Sequence, residues 1–221
     1  RTLGASWQNN LAIVDDHILT FGVDLKQETA ESVYESTYSV DTFEEQSAEM
    51  SGLYLQDSFK IGESIDIAAG LRYDDHSQSG DKVTGRIAPQ YRIKSTGTRL
   101  KGTYGTGFKA PSLFQLYSTY GNRDLQPEES QGWDAGIEQE LGNADYTAEV
   151  TWFGNRYDNM IDYDYATSKY MNIAKAKSDG VEAALNLKLH KRLELRFNYT
   201  YTETEDETTG LTQPLAPMPP L

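Results

Sequence analysis

Polar and apolar residues alternate with a period of two along most of the chain. Ile65, Ile67, Ala69, Leu71 and Tyr73 interleave with Asp66, Ala68, Gly70 and Arg72. Tyr146, Ala148, Val150 and Trp152 interleave with Thr147, Glu149 and Thr151, and Val181, Ala183, Leu185, Leu187 and Leu189 with Glu182, Ala184, Asn186 and Lys188. Leu193, Leu195, Phe197, Tyr199 and Tyr201 repeat the pattern. Successive side chains on a strand point to opposite faces, so each stretch has one apolar and one strongly polar face. No stretch carries a convincing 3.6-residue apolar stripe, and the chain is predicted to be all-β. Ten strands are predicted, at roughly 1–13, 17–30, 47–60, 64–75, 82–94, 98–108, 130–142, 145–158, 171–189 and 192–205.

The connections alternate too. VDDH, IGES, KSTGT, GNAD and HKR are tight turns, whereas 31–46, 75–82, 109–129, 159–170 and the tail after 206 are longer. Short and long connections in alternation predict an antiparallel up-and-down meander. A soluble sandwich would bury the apolar faces against each other. An outer-membrane barrel would turn them to lipid and keep a polar lumen, with short periplasmic turns and long extracellular loops. The predicted strands run about 11–14 residues, against about 5–6 in ordinary sheets. Their polar faces are rich in Lys, Arg, Glu and Asp, which suits a wet lumen. Tyr73, Tyr104, Phe108, Trp133, Tyr146, Trp152 and Tyr201 fall near strand ends, where interfacial aromatic girdles belong. The barrel is the better reading.

Composition narrows the picture further. Of 221 residues, 38% are apolar, low for a packed globule, and Tyr is frequent at 15. No run approaches the roughly 18 apolar residues of a membrane-spanning helix, and no signal peptide is visible. Without cysteine there is neither a disulfide scaffold nor a thiolate metal site. The net charge of −14 argues against a nucleic-acid partner, which would require a basic face. The chain opens inside an alternating run and closes on QPLAPMPPL, so residues 1–221 are expected to form one partial barrel, an arc of a larger ring.

One irregular segment stands out, YGTGFKAPSLFQLYSTYGNRDLQPEES at 104–130. Pro111 cannot donate to a ladder and is expected to end a strand with Lys109. Gly121-Asn122 marks a turn, and Leu113, Phe114, Leu116 and Tyr117 offer an apolar patch on which the loop can fold back. Together with GWDAGIEQ, this phrase resembles the C-terminal half of TonB-dependent outer-membrane receptors. The matching residues are Phe108, Lys109, Ala110, Pro111, Leu113, Leu116, Tyr117, Gly121, Asn122, Leu125, Pro127 and Glu128, with Arg123 where the family usually has proline. NRYDNMIDYD, YMNIAKAKSDGVEA and LRFNYTYTETED extend the likeness, which covers at least 98–206.

The resemblance implies a bacterial outer-membrane barrel of about 22 strands with a plugged lumen. The plug, the earlier strands and the last strands would lie outside this chain. It further implies nutrient uptake driven by TonB through that missing plug. The run YDNMIDYDYATSKYMNIAKAKSDGVEA is most similar to the vitamin B12 (cobalamin) receptors, with iron-chelate (siderophore or haem) receptors as the alternative. A bulky neutral corrinoid would be held by aromatic area and hydrogen bonds. Tyr34, Tyr38, Tyr117, Tyr120, Tyr163, Tyr165 and Tyr170, with Asn122, Asn172 and Arg123, are the candidate contacts. The loops read as acidic, at Glu31, Glu35, Asp41, Glu44, Glu45, Asp74, Asp75, Asp162 and Asp164, which favours a neutral ligand over a strongly anionic one. Ca²⁺ would find oxygen ligands there, but no spacing matches a defined calcium loop. No metal ligand and no cofactor is assigned.

Two other classes compete. An outer-membrane protease would require His and acids to converge at one rim, yet only His76 falls at the long-loop rim, while His17 and His190 lie at tight turns. No G-x-S-x-G, H-E-x-x-H or phosphate loop is present, and no catalysis is expected. A soluble carbohydrate-binding β protein would instead bury its apolar faces in a dry interior.

Overall fold

The computed structural model describes residues 1–14, 16–35, 37, 40–142 and 145–214. The strands are β1 (Thr2–Val14), β2 (His17–Glu35), β3 (Val40–Ile61), β4 (Ile65–His76), β5 (Gly80–Ile93) and β6 (Thr98–Lys109). A short helix α1 (Leu113–Tyr117) precedes β7 (Glu128–Leu141), β8 (Tyr146–Asp164), β9 (Lys169–His190), β10 (Leu193–Asp206) and β11 (Leu211–Pro214). All strands lie in one sheet in chain order, each paired antiparallel with the next. This is an all-β, up-and-down meander, with one strand more than the ten predicted. The tail after 206, expected to be loop, turns through Gly210 and returns as β11 beside β10.

The sheet is inside-out compared with a soluble protein. Ile67, Val150, Leu187 and Leu195 share no dry interior, and none of them is buried. Leu71 is 65% exposed, and Leu25, Leu53, Ile87, Trp133, Trp152 and Tyr201 are exposed on the same outward face. Asp74 and Glu138 are buried on the opposite, concave face. Carboxylates leave water only when paired, and here they are. Arg72 grips Asp74 at 2.7 Å and also pairs with Asp24. Glu138 lies between Arg99 and Lys101, and Lys101 reaches Glu149 at 3.0 Å. A face of cross-strand ion pairs and a face of bare aliphatics make sense together only if the aliphatics meet hydrocarbon. The 12 residues of β4 run about 40 Å at a rise of ~3.4 Å each, which a tilt near 45° fits to a hydrocarbon layer of about 30 Å.

Two predicted loops are strand instead. Residues 31–46 and 159–170 mostly continue the β2–β3 and β8–β9 ladders, out to Glu35↔Val40 and Asp164↔Lys169. The alternation hid them because each ladder slips, between Ala30 and Ser32 and between Tyr157 and Ile161, with Asn159 at φ 55°. A bulge shifts the side-chain period by one while hydrogen bonding goes on. Most of the acidic residues assigned to loops therefore stand on strands: Glu31 and Glu35 on β2, Glu44 and Glu45 on β3, Asp162 and Asp164 on β8. Asp74 and Asp75 end β4, with Asp74 only 3% exposed against Arg72. The outcome is two tall hairpins, β2–β3 and β8–β9, with the low β4–β5 hairpin between them.

Candidate functional site

Residues 110–127 form a strap across that low hairpin. Strand β6 stops at Lys109, and Ser112 then caps α1 reciprocally with Gln115, donor and acceptor exchanged between side chain and backbone at both residues. This Ser-x-x-Gln box before Leu113 was the one local signal for a helix too short to show a periodic stripe. Leu113 packs with Phe43 and Ala48 of β3, flanked by Ala30 and Tyr117. The Tyr117 hydroxyl donates to Gln78 Oε1 in the β4–β5 turn at 2.5 Å, and Gln78 Nε2 donates to Ser47 O at 3.2 Å. The strap thus reaches past the low hairpin to the first tall one.

Its second half fastens to β9. Tyr170 N donates to Tyr120 O at 3.0 Å, and Asn122 Nδ2 donates to Tyr170 O at 3.1 Å. Lys169 Nζ reaches Gly121 O at 3.1 Å, and Asn172 exchanges hydrogen bonds with Gln126 at 2.8 and 2.9 Å. Gly121 is required here, because a Cβ would lie 2.7 Å from the Leu116 backbone. Glu128 closes the base, accepting from Lys109 Nζ at 2.7 Å and from Ile161 N at 2.8 Å. Pro111, Leu113, Leu116 and Leu125 are buried under the strap.

Aromatic rings connect the two tall hairpins through the strap. Phe114 stands edge-to-face between Phe43 of β3 (6.3 Å) and Tyr170 of β9 (6.2 Å). Tyr163 meets Tyr170, Tyr120 and Tyr165 at 5.6, 5.8 and 5.1 Å. Tyr165 is 88% exposed at the tip, and Tyr120 and Phe114 are also exposed. Arg123 lies over the Tyr117 ring at 5.0 Å. Of the predicted contacts, Tyr120, Tyr163, Tyr165 and Tyr170 thus come together, with Tyr117 and Arg123 beside them. Asn122 and Asn172 hold backbone. Tyr34 is described by its backbone in β2, and Tyr38 lies outside the described residues. Phe43, Phe114, Gln78 and Lys169 were missed, since only the folded strap brings β3, β4 and β9 to one place.

At the β8–β9 tip, hydrogen bonds from the Thr167 hydroxyl (2.6 Å) and the Ala166 amide (3.0 Å) hold the Asp164 carboxyl below its ordinary range. No three acidic or histidine side chains among the described residues gather into a cation site. His76 Nδ1 accepts from the Gln78 amide at 3.3 Å, and His17 pairs with Asp57 at 2.8 Å.

The profile of the "TonB dependent receptor-like, beta-barrel" family matches residues 1–221. The chain belongs to that family. This TonB-dependent receptor barrel, an outer-membrane protein, is similar in structure to the siderophore receptor PirA from Pseudomonas aeruginosa, with 26% identity over 92% of this chain and 40% of that one, at a TM-score of 0.74. It is similar to the siderophore receptor PirA from Acinetobacter baumannii, with 21% identity over 98% and 38%, at 0.76. The copper transporter OprC matches at 15% identity over 93% and 37%, at 0.73. The receptor barrel described here spans about two fifths of the length of these proteins.

Proposed function

We propose that the receptor containing this barrel segment takes up a bulky metal chelate, a ferric siderophore, driven by TonB through a plug. The observation that carries this reading is the connected ring cluster at the rim, with Tyr120 and Tyr165 exposed at one mouth and the half-buried Tyr163 and Tyr170 behind them. Flat aromatic faces give large contact area at low entropic cost and suit a ligand with aromatic or macrocyclic planes. Arg123 beside Tyr117 adds a cation suited to an anionic chelate. The siderophore receptor at 26% identity lends support.

Cobalamin is the second reading, favoured by the strongly acidic balance of the chain, −14 overall. A neutral corrinoid would tolerate that balance better than an anionic chelate. Titration of the full-length receptor with a ferric catecholate, a ferric hydroxamate and cyanocobalamin, read by intrinsic fluorescence, separates the two. The expected result is saturable ferric-siderophore binding, weakened about tenfold by Tyr163→Ala, as the loss of one or two aromatic contacts would give. Saturable binding of cyanocobalamin alone would replace the first reading with the second. Binding unaffected by Tyr163→Ala would remove the ring cluster from the site.

A further inference from the structure

The outward wall carries a feature that uptake does not explain. Asp57 of β3 stands opposite Ala69 of β4, in the row between Phe59↔Ile67 and Leu55↔Leu71, so it faces the hydrocarbon with them. Along the described outward stretch of β3 and β4 from Ile61 to Leu53 and from Ile65 to Tyr73, it is the one charged side chain. It borders a groove of about 440 Å³ with Leu55, Leu71, Ile87 and Tyr104, floored by Ala69 and Gly85. The groove is hollow because Ala69 and Gly85 are small, and Leu71 already leans to 2.9 Å from where a Cβ on Gly85 would be.

A carboxylate facing lipid must be paired, and a polar group at that depth is costly to keep without a use. Its neighbour is His17, the first residue of β2, whose ring stands edge-on to Phe59 at 5.6 Å. Nε2 lies 2.8 Å from Oδ2 and 2.7 Å from Oδ1. One ring N–H serves one oxygen; Oδ1 is buried and takes no hydrogen bond among the described residues, so a lipid donor would have to approach the part of the side chain that stays exposed. An ionised carboxylate can accept about four hydrogen bonds, while the Asp57 side chain, 33% exposed, receives one from the described residues. A donor from the bilayer would meet only the exposed part of this side chain. Because His17 follows directly on a short turn, the pair lies toward the periplasmic leaflet.

We propose that Asp57, held by His17, together with the groove beside it, binds a phospholipid with a primary ammonium headgroup. The ammonium would donate to the carboxylate in a charge-assisted bond, and an acyl chain would fill the groove over Ala69 and Gly85. The proposal stands on the wall alone and is independent of which nutrient the rim takes.

Native mass spectrometry of the full-length receptor, released from bilayers of equimolar phosphatidylethanolamine and phosphatidylglycerol, tests it. The expected result is about tenfold preferential retention of phosphatidylethanolamine, falling to parity in Asp57→Asn. Ala69→Leu, which fills the groove, is expected to lower retained lipid severalfold. Replacing phosphatidylethanolamine by phosphatidylcholine, which has no N–H donor, is expected to abolish the preference in the wild type, so a variant that fails to fold does not blunt the test. Equal retention of the two lipids by the wild type overturns the proposal. So does undiminished preference in Asp57→Asn or with phosphatidylcholine, or a stable dimer closing this face in place of lipid.

Discussion

The barrel wall and the strap at 110–127 bury opposite kinds of side chain. In the wall, charged residues such as Asp74 and Glu138 are covered and leucines such as Leu71 are bare. Under the strap, Leu113, Leu116 and Leu125 are covered, and polar groups such as Asn122 and Asn172 serve the backbone. One chain therefore follows two solvent rules, hydrocarbon outside the wall and water around the rim. Stability of the wall comes from the ladder, the ion pairs and the lipid. Stability of the strap comes from a small conventional core.

The sharpest way to break this contrast is a charge on the wall. Leu71→Arg is expected to cost about 2–4 kcal/mol in reversible unfolding from bilayers, as for basic residues near the bilayer midplane. Thr200→Arg, on the concave face opposite Glu182, is expected to change stability by less than about 0.5 kcal/mol. Equal costs at both sites would mean that the two faces do not differ in solvent.

A cavity under the strap comes next. Leu116→Ala is expected to cost about 2–3 kcal/mol locally and to open 110–127 to protease while the barrel keeps its heat-modifiable migration on gels. Gly121→Ala, forced against the Leu116 backbone, is expected to cost about 1–3 kcal/mol with the same local readout. Global unfolding in either variant would show that wall and strap are one cooperative unit.

The smallest expected effect is acid sensitivity of the β8–β9 tip. Hydrogen bonds to the ionised Asp164 lower its folded pKa, so the order they confer is present above the ordinary carboxylate range and fades as pH falls through the lowered value. Protection of the Ala166 and Thr167 amides, taken relative to intrinsic exchange at each pH, is expected to fall below that point, and Asp164→Asn should remove the pH step. A step that persists in Asp164→Asn would assign it to another group.

Much of the wall was legible in the sequence, because each side chain there answers only to its own strand's period and to the solvent on its side. Ile65 to Tyr73 and Leu193 to Tyr201 needed no distant partner to be read correctly. The ladders past Ala30 and Tyr157 were not legible, since a bulge at each point breaks the two-residue period without ending the pairing. The β6–β7 segment was recognisable by its residues, but its path was not.

The alternation, the aromatic strand ends and the placement of Pro111 by themselves determined an outward-greasy meander interrupted once, because those are local properties of extended chain. Only the tertiary structure decided that the interruption bridges two tall hairpins and gathers Phe114, Tyr120, Tyr163 and Tyr170 at one mouth. Phe43 and Tyr170 lie far apart along the chain, and nothing short of the sheet's register places both within reach of one phenylalanine.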